Sequence, residues 1–151
     1  KPKKFGFMQK IRKVTDGVTD SIPWPNIHPN IVSGSEVIVA IIFLLVLLEP
    51  TQARVWIAFG LLLLGNILDA ADGSIARKYG YDMNKGWIVD VVVDRVTEFI
   101  TFLLFPWPLM LIWILNLIYS IIGYKKGYHA MLALRIPFIF YYLYFFRDLL
   151  F

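Results

Sequence analysis

The sequence predicts an all-α integral membrane protein, a bundle of five or six transmembrane helices preceded by an N-terminal amphipathic helix at the membrane surface. Three observations lead there. Of its 151 residues 58% are hydrophobic and 17% aromatic, and mean hydropathy is +0.64. A soluble domain of this size is less apolar, nearer half with glycine counted. The apolar residues gather into five runs separated by short breaks rich in Pro, Gly and charge. Lys and Arg crowd into alternate breaks, as they do in cytoplasmic loops. The chain divides into an interfacial helix over 1–24 and one transmembrane domain over 25–151. The absence of cysteine excludes disulfides and thiolate-bound metal. No small-residue cleavage site follows the basic N-terminus, so no signal peptide is expected. Nor is a nucleic-acid partner.

The elements follow in order. Residues 1–24 interleave Lys1, Lys3, Lys4, Lys10, Arg12 and Lys13 with Phe5, Phe7, Met8, Ile11 and Val14. Phe7, Ile11 and Val14 fall at helical spacing, which predicts an amphipathic helix on an anionic lipid surface. A basic tail is the blander alternative. Pro23, Pro25 and Pro29 close this segment, and Pro29-Asn30 opens the first span. Spans are predicted over roughly 31–48, 53–77, 86–106, 108–124 and 130–147, some short of the roughly 20 residues that cross a bilayer. The second is apolar over Val55–Leu68 and continues as a polar helical extension to about Arg77. Orientation follows from the flanks. With the N-terminus in the cytoplasm, Arg77, Lys78, Lys85, Lys125, Lys126 and Arg135 join the N-terminal cluster inside, and only Arg54 and Arg147 lie outside.

Four aspartates then stand out, because each is costly beside apolar runs. Asp69 and Asp72 share one helical face with Gly73 and Ala76, while Gly86, Asp90 and Asp94 form a stripe at i, i+4 and i+8. A short loop joins the two helices, so they are expected as antiparallel neighbours with acidic stripes face to face. Two carboxylates about 5 Å apart repel by roughly 3 kcal/mol at an effective dielectric near 20. Four around one point therefore call for cations. Hard oxygen donors without Cys or paired His favour Mg²⁺, Mn²⁺ or Ca²⁺ over zinc. A carboxylate-bridged metal pair suits phosphoryl transfer. Gly73 and Gly86 remove side chains where a ligand could approach the backbone. Arg77 stands one turn beyond Ala76, ready to pair with phosphate.

The spacing D-x2-D-G-x2-A-R-x8-G-x3-D-x3-D is met without a gap by Asp69, Asp72-Gly73, Ala76-Arg77, Gly86, Asp90 and Asp94. It resembles the signature of the CDP-alcohol phosphotransferases, and Pro29-Asn30 with Ser33 resembles that family's segment before the first span. The resemblance implies attack by an alcohol hydroxyl on the β-phosphate of a CDP-linked lipid, CDP-diacylglycerol or CDP-archaeol, with release of CMP. It implies Asp69, Asp72, Asp90 and Asp94 as ligands of two Mg²⁺ or Mn²⁺ ions, and Asp94 also as general base. Asn30, Asn66, Asp69, Gly73, Ala76, Arg77 and Gly86 would border the CDP moiety. A homodimer in the cytoplasmic membrane, with the active site inside, is also implied. The family usually has six spans where five are found here.

The acceptor is a separate question. Lys85, Arg95, Lys125, Lys126 and Arg135 are candidates near the inner mouth, and such a cluster suits an acceptor that itself carries phosphate; plain positive-inside bias would also put many of them there. Arg135 is the best of these, since a charge inside an apolar helix is expensive. The run Asp94-Arg95-Val96-Thr97-Glu98 resembles the branch that uses inositol phosphate, which makes inositol 1-phosphate the expected acceptor, ahead of glycerol 3-phosphate and serine. Glu98 is expected to pair with Arg95 at i+3. Glu36 has two readings, cavity or headgroups, and Asn66 two, nucleotide or neighbouring helix. His28 and His129 read as loop and interface, and the aromatic run near the C-terminus as lipid-facing bulk. The rival classes are an ion transporter, opposed by acids clustered at one face and by the lack of an inverted repeat, and an inactive lipid-binding scaffold.

Overall fold

The computed structural model describes residues 21–81, 83–125 and 134–150, without the side chains of 83–87, 124 and 125. The predicted N-terminal amphipathic helix and Lys126 lie outside the described residues. Six helices follow one another among the described residues: α1 Pro29–Leu47, α2 Gln52–Tyr79, α3 Met83–Phe102, α4 Trp107–Lys125, α5 Arg135–Phe145 and the single turn α6 Arg147–Leu150. No strand occurs among the described residues.

Local chemistry sets the helix ends. Pro29 occupies the first turn of α1, where its missing N–H is no loss, and His28 Nδ1 caps by accepting from the Asn30 N–H at 3.3 Å. Expected only as loop, His28 is thus a helix cap. Pro50 stops the chain after α1, and Thr51 caps α2 by accepting from the Arg54 N–H at 3.4 Å. Gly80, at φ +70°, ends α2 in the left-handed conformation, and the Tyr81 N–H reaches back to the Ala76 carbonyl at 3.0 Å. With 28 residues α2 is about 42 Å long, against a hydrocarbon core of about 30 Å. Its last turns, which start near Asp69, are the surplus.

Among the described residues two helices are long and apolar enough to cross a bilayer, α1 and α2; the apolar stretch Trp107–Gly123 is shorter. The charges of α3 and the 11 residues of α5 keep these two from meeting the same measure. Of the fifth expected span, residues 130–133 lie outside the described residues; helix runs from Arg135 and breaks at Phe146 before α6.

Packing also departs from the expected pairing. Among the described residues α2 and α3 make few contacts with each other; α1 packs extensively against both and lies between them, while α4 leans mainly on α3. The apolar end of the bundle holds Phe43 and Leu47 of α1, Val55, Ala58 and Leu62 of α2, Phe102 and Phe105, and Phe138 and Tyr142 of α5. In a bilayer, such contacts hold by close packing and interhelical hydrogen bonds, since lipid is as apolar as the core. Tyr142 supplies one, its hydroxyl donating to the Val55 carbonyl at 2.7 Å. The aromatic run expected to face lipid is therefore split. Phe138 and Tyr142 are core, while Phe140 and Tyr144 are 68% and 67% exposed. Trp113 supplies another interhelical hydrogen bond, donating from Nε1 to the Arg95 carbonyl at 2.9 Å.

Candidate active site

The opposite end of the bundle is acidic. It gathers the N-terminal half of α1, the C-terminal turns of α2, the first half of α3 and the start of α5. Because α1 holds α2 and α3 apart, their acidic stripes meet across its flank. The result is two triads that share one residue. Carboxylate oxygens of Asp69, Asp72 and Asp90 lie within 4.8 Å of one another, and so do those of Glu36, Asp69 and Asp94. Asp72, Asp94 and Glu36 are buried, Asp69 and Asp90 half-buried.

The first triad is braced by α1. Ser33 is one helical turn from Pro29, and its Oγ donates to Asp72 Oδ2 at 2.6 Å. Oxygens no farther apart than 4.8 Å match the span of about 4.2–5 Å between opposite ligands on one Mg²⁺, Mn²⁺ or Ca²⁺ ion. The donor set, all carboxylate, suits the same ions. These residues fit a hard divalent cation.

The second triad surrounds a guanidinium. Arg135, at the first turn of α5, reaches Glu36 Oε2 at 2.9 Å and Asp69 Oδ1 at 3.5 Å through Nη1. Its Nη2 donates to Asp94 Oδ1 and, at 3.1 Å, to Thr97 Oγ1. Four helices thus converge on one side chain. Beneath it, a narrow cavity lined by Glu36, Asn66, Thr97 and Arg135 runs down to Phe43, Leu62 and Phe138. Glu36 faces that cavity, which resolves one of its two readings.

The remaining predicted residues distribute unevenly. Arg77 lies along α2 with Nη2 donating to Ser74 Oγ at 3.1 Å. A Cβ at Gly73 would stand 3.4 Å from Arg77 Nη1, an ordinary contact. Ala76 is half-buried on the same stretch, and Asn30 is exposed at the first turn of α1. Asn66 donates to the Leu62 carbonyl at 2.8 Å within its own helix. Arg95 is not brought to the acid cluster. It is buried against Glu98, with Nη1 2.8 Å from Oε2, and Asn116 of α4 donates to the same oxygen at 3.3 Å. The side chains of Lys85, Gly86 and Lys125 lie outside the described residues. Sequence reasoning left Ser33 without a role and gave none to Thr97 or Asn116; helical spacing from Asp94 was the one available signal for Thr97.

The family model for CDP-alcohol phosphatidyltransferase matches residues 26–149. The chain belongs to the CDP-alcohol phosphatidyltransferase family. Both helical ends just described, the acidic and the apolar, fall inside the match. Membership makes the protein a membrane enzyme of phospholipid biosynthesis that transfers a phosphatidyl group from a CDP-alcohol to an acceptor with the help of metal. It thereby answers the transporter and scaffold readings. No curated protein and no solved structure matches the chain.

Proposed function

We propose that this CDP-alcohol phosphatidyltransferase joins the phosphatidyl-type group of CDP-diacylglycerol or CDP-archaeol to a hydroxyl of inositol 1-phosphate and releases CMP. The observation that carries this reading is the convergence of Asp69, Asp72 and Asp90 within 4.8 Å, next to Asp94 and Arg135. Asp69, Asp72, Asp90 and Asp94 would hold two Mg²⁺ or Mn²⁺ ions. Bound there, the ions would neutralise the pyrophosphate and polarise the attacked phosphorus.

Everything else falls to the chain's own residues. Asp94 takes the proton of the acceptor hydroxyl. The alkoxide oxygen forms a bond to the β-phosphorus as the bridging P–O bond breaks, and CMP leaves with that electron pair. Asn30, Asn66, Gly73, Ala76, Arg77 and Gly86 border the CDP moiety, with Arg77 as the phosphate partner. Arg135 is the cation for a second, acceptor-borne phosphate; its planar fork suits bidentate recognition. Lys85, Lys125 and Lys126 are the further candidates for that phosphate, whereas Arg95 is engaged by Glu98. The bundle would sit in the cytoplasmic membrane with five or six spans, N-terminus and site inside, as a homodimer.

Purified protein with CDP-lipid, Mg²⁺ and, in parallel, labelled inositol 1-phosphate, glycerol 3-phosphate and serine decides the question. Label from inositol 1-phosphate should enter the lipid phase with equimolar CMP. Entry of serine instead would remove the acceptor reading, and metal-independent CMP release would remove the metal one.

A further inference from the structure

We propose that Glu36 is a positioning residue that holds the Arg135 guanidinium beside Asp94, and so sets the preference for an acceptor bearing phosphate. This rests on the acceptor reading above. Glu36 is the single charged residue in α1, an otherwise apolar span, and it is only 3% exposed. An isolated carboxylate there would be costly, and a specific partner is expected. That partner is Arg135 Nη1, at 2.9 Å.

The four groups around Arg135 are not equivalent. Asp69 and Asp94 belong to the acidic signature, and divalent cations on them would both withdraw their charge and repel the guanidinium. Thr97 Oγ1, at 3.1 Å, is neutral. Glu36 comes from α1, outside the signature run, and it is the carboxylate that remains to Arg135 when the signature serves metal. It grips one end of the fork through Nη1. That anchors the Nη1 end of the guanidinium and leaves the Nη2 edge toward Asp94, where an acceptor phosphate and the hydroxyl to be deprotonated must arrive together. Orienting partners one contact removed from the chemistry commonly matter by about 10- to 100-fold.

Steady-state kinetics of Glu36→Gln test this, varying each substrate and Mg²⁺ separately. The expected result is an acceptor KM raised by about tenfold or more, with the KM for CDP-lipid and the Mg²⁺ activation constant unchanged. Glu36→Gln combined with Arg135→Ala should raise the acceptor KM no further than Arg135→Ala alone. Should Glu36→Gln fail to fold, Glu36→Asp keeps the charge at a shorter reach and should raise the acceptor KM by a smaller factor with the same selectivity. An unchanged acceptor KM, equal changes for both substrates, or additive effects in the double variant would overturn the proposal. So would a shifted Mg²⁺ constant, which would make Glu36 a metal ligand. The unsubstituted enzyme separates this failure from that of the acceptor reading. If it does not prefer a phosphorylated alcohol over its dephosphorylated counterpart, the reading falls and this inference with it; if it does and Glu36→Gln keeps that preference, only this inference falls.

Discussion

Replacing Asp72 with asparagine should have opposite effects on stability with and without metal. Asp72 is buried, and it shares a 4.8 Å sphere with the oxygens of Asp69 and Asp90. Each neighbour repels it by about 3.5 kcal/mol at an effective dielectric near 20. Arg135, 3.5 Å from Asp69, offsets part of this, and half-exposure of Asp69 and Asp90 lets salt screen more, which leaves about 1–3 kcal/mol. Asparagine keeps an oxygen to accept from Ser33, so the change removes charge and little else. At about 2–4 °C per kcal/mol for a chain of this size, Asp72→Asn should melt roughly 2–12 °C higher than wild type in chelator. Wild type should in turn gain about 2.7 kcal/mol from Mg²⁺ at a hundredfold its Kd, and the variant should gain little. Thermal unfolding in detergent, followed by fluorescence with EDTA or Mg²⁺, reads both. A variant that melts lower in EDTA and still responds fully to Mg²⁺ would refute mutual repulsion and metal ligation together.

Three further outcomes follow from neighbouring contacts. Ser33→Ala frees the Asp72 carboxylate from its 2.6 Å partner and should weaken Mn²⁺ binding by about tenfold, seen as a shifted half-activation concentration; an unshifted curve would make Ser33 purely structural. Asp94→Asn should lower turnover by about 10²–10⁴ while metal-dependent CDP binding stays within a few-fold. Equal loss of CDP affinity in Asp94→Asn and Asp69→Asn would erase the distinction between base and ligand. Tyr142→Phe removes the hydrogen bond to the Val55 carbonyl and should cost about 1 kcal/mol in unfolding with kcat unchanged, because that contact lies at the apolar end.

Much of this was legible in the chain, for identifiable reasons. Pro29 marks the start of α1 through chemistry that acts within four residues. The aspartate stripes are likewise local, since spacing alone puts each on one helical face. What escaped depends on how helices rotate against distant partners. Glu36 could face a cavity or headgroups until Arg135 of α5 was brought to it. Arg95 neighbours Asp94 in sequence, yet adjacent helical residues point about 100° apart. That rotation turns Arg95 toward Glu98 and Asn116 while Asp94 faces the cluster. Aromatic residues near the C-terminus carry no periodic polar contrast, so the buried Phe138 and Tyr142 looked like the exposed Phe140 and Tyr144. The direct pairing of α2 with α3 was inferred from their short loop, and the loop does not reveal that α1 lies between them.

That intervening helix explains how the acidic end can exist at all. If α2 and α3 packed directly along their length, their aspartates would meet with no space between them and nothing to offset the repulsion. With α1 in the seam, the stripes meet across its flank as two triads joined at Asp69, and α1 adds a hydroxyl to one and a carboxylate to the other. Five acidic side chains, Glu36, Asp69, Asp72, Asp90 and Asp94, then stand against one guanidinium, that of Arg135. That excess of acid groups at one end of the bundle favours a bound cation there, independently of any motif.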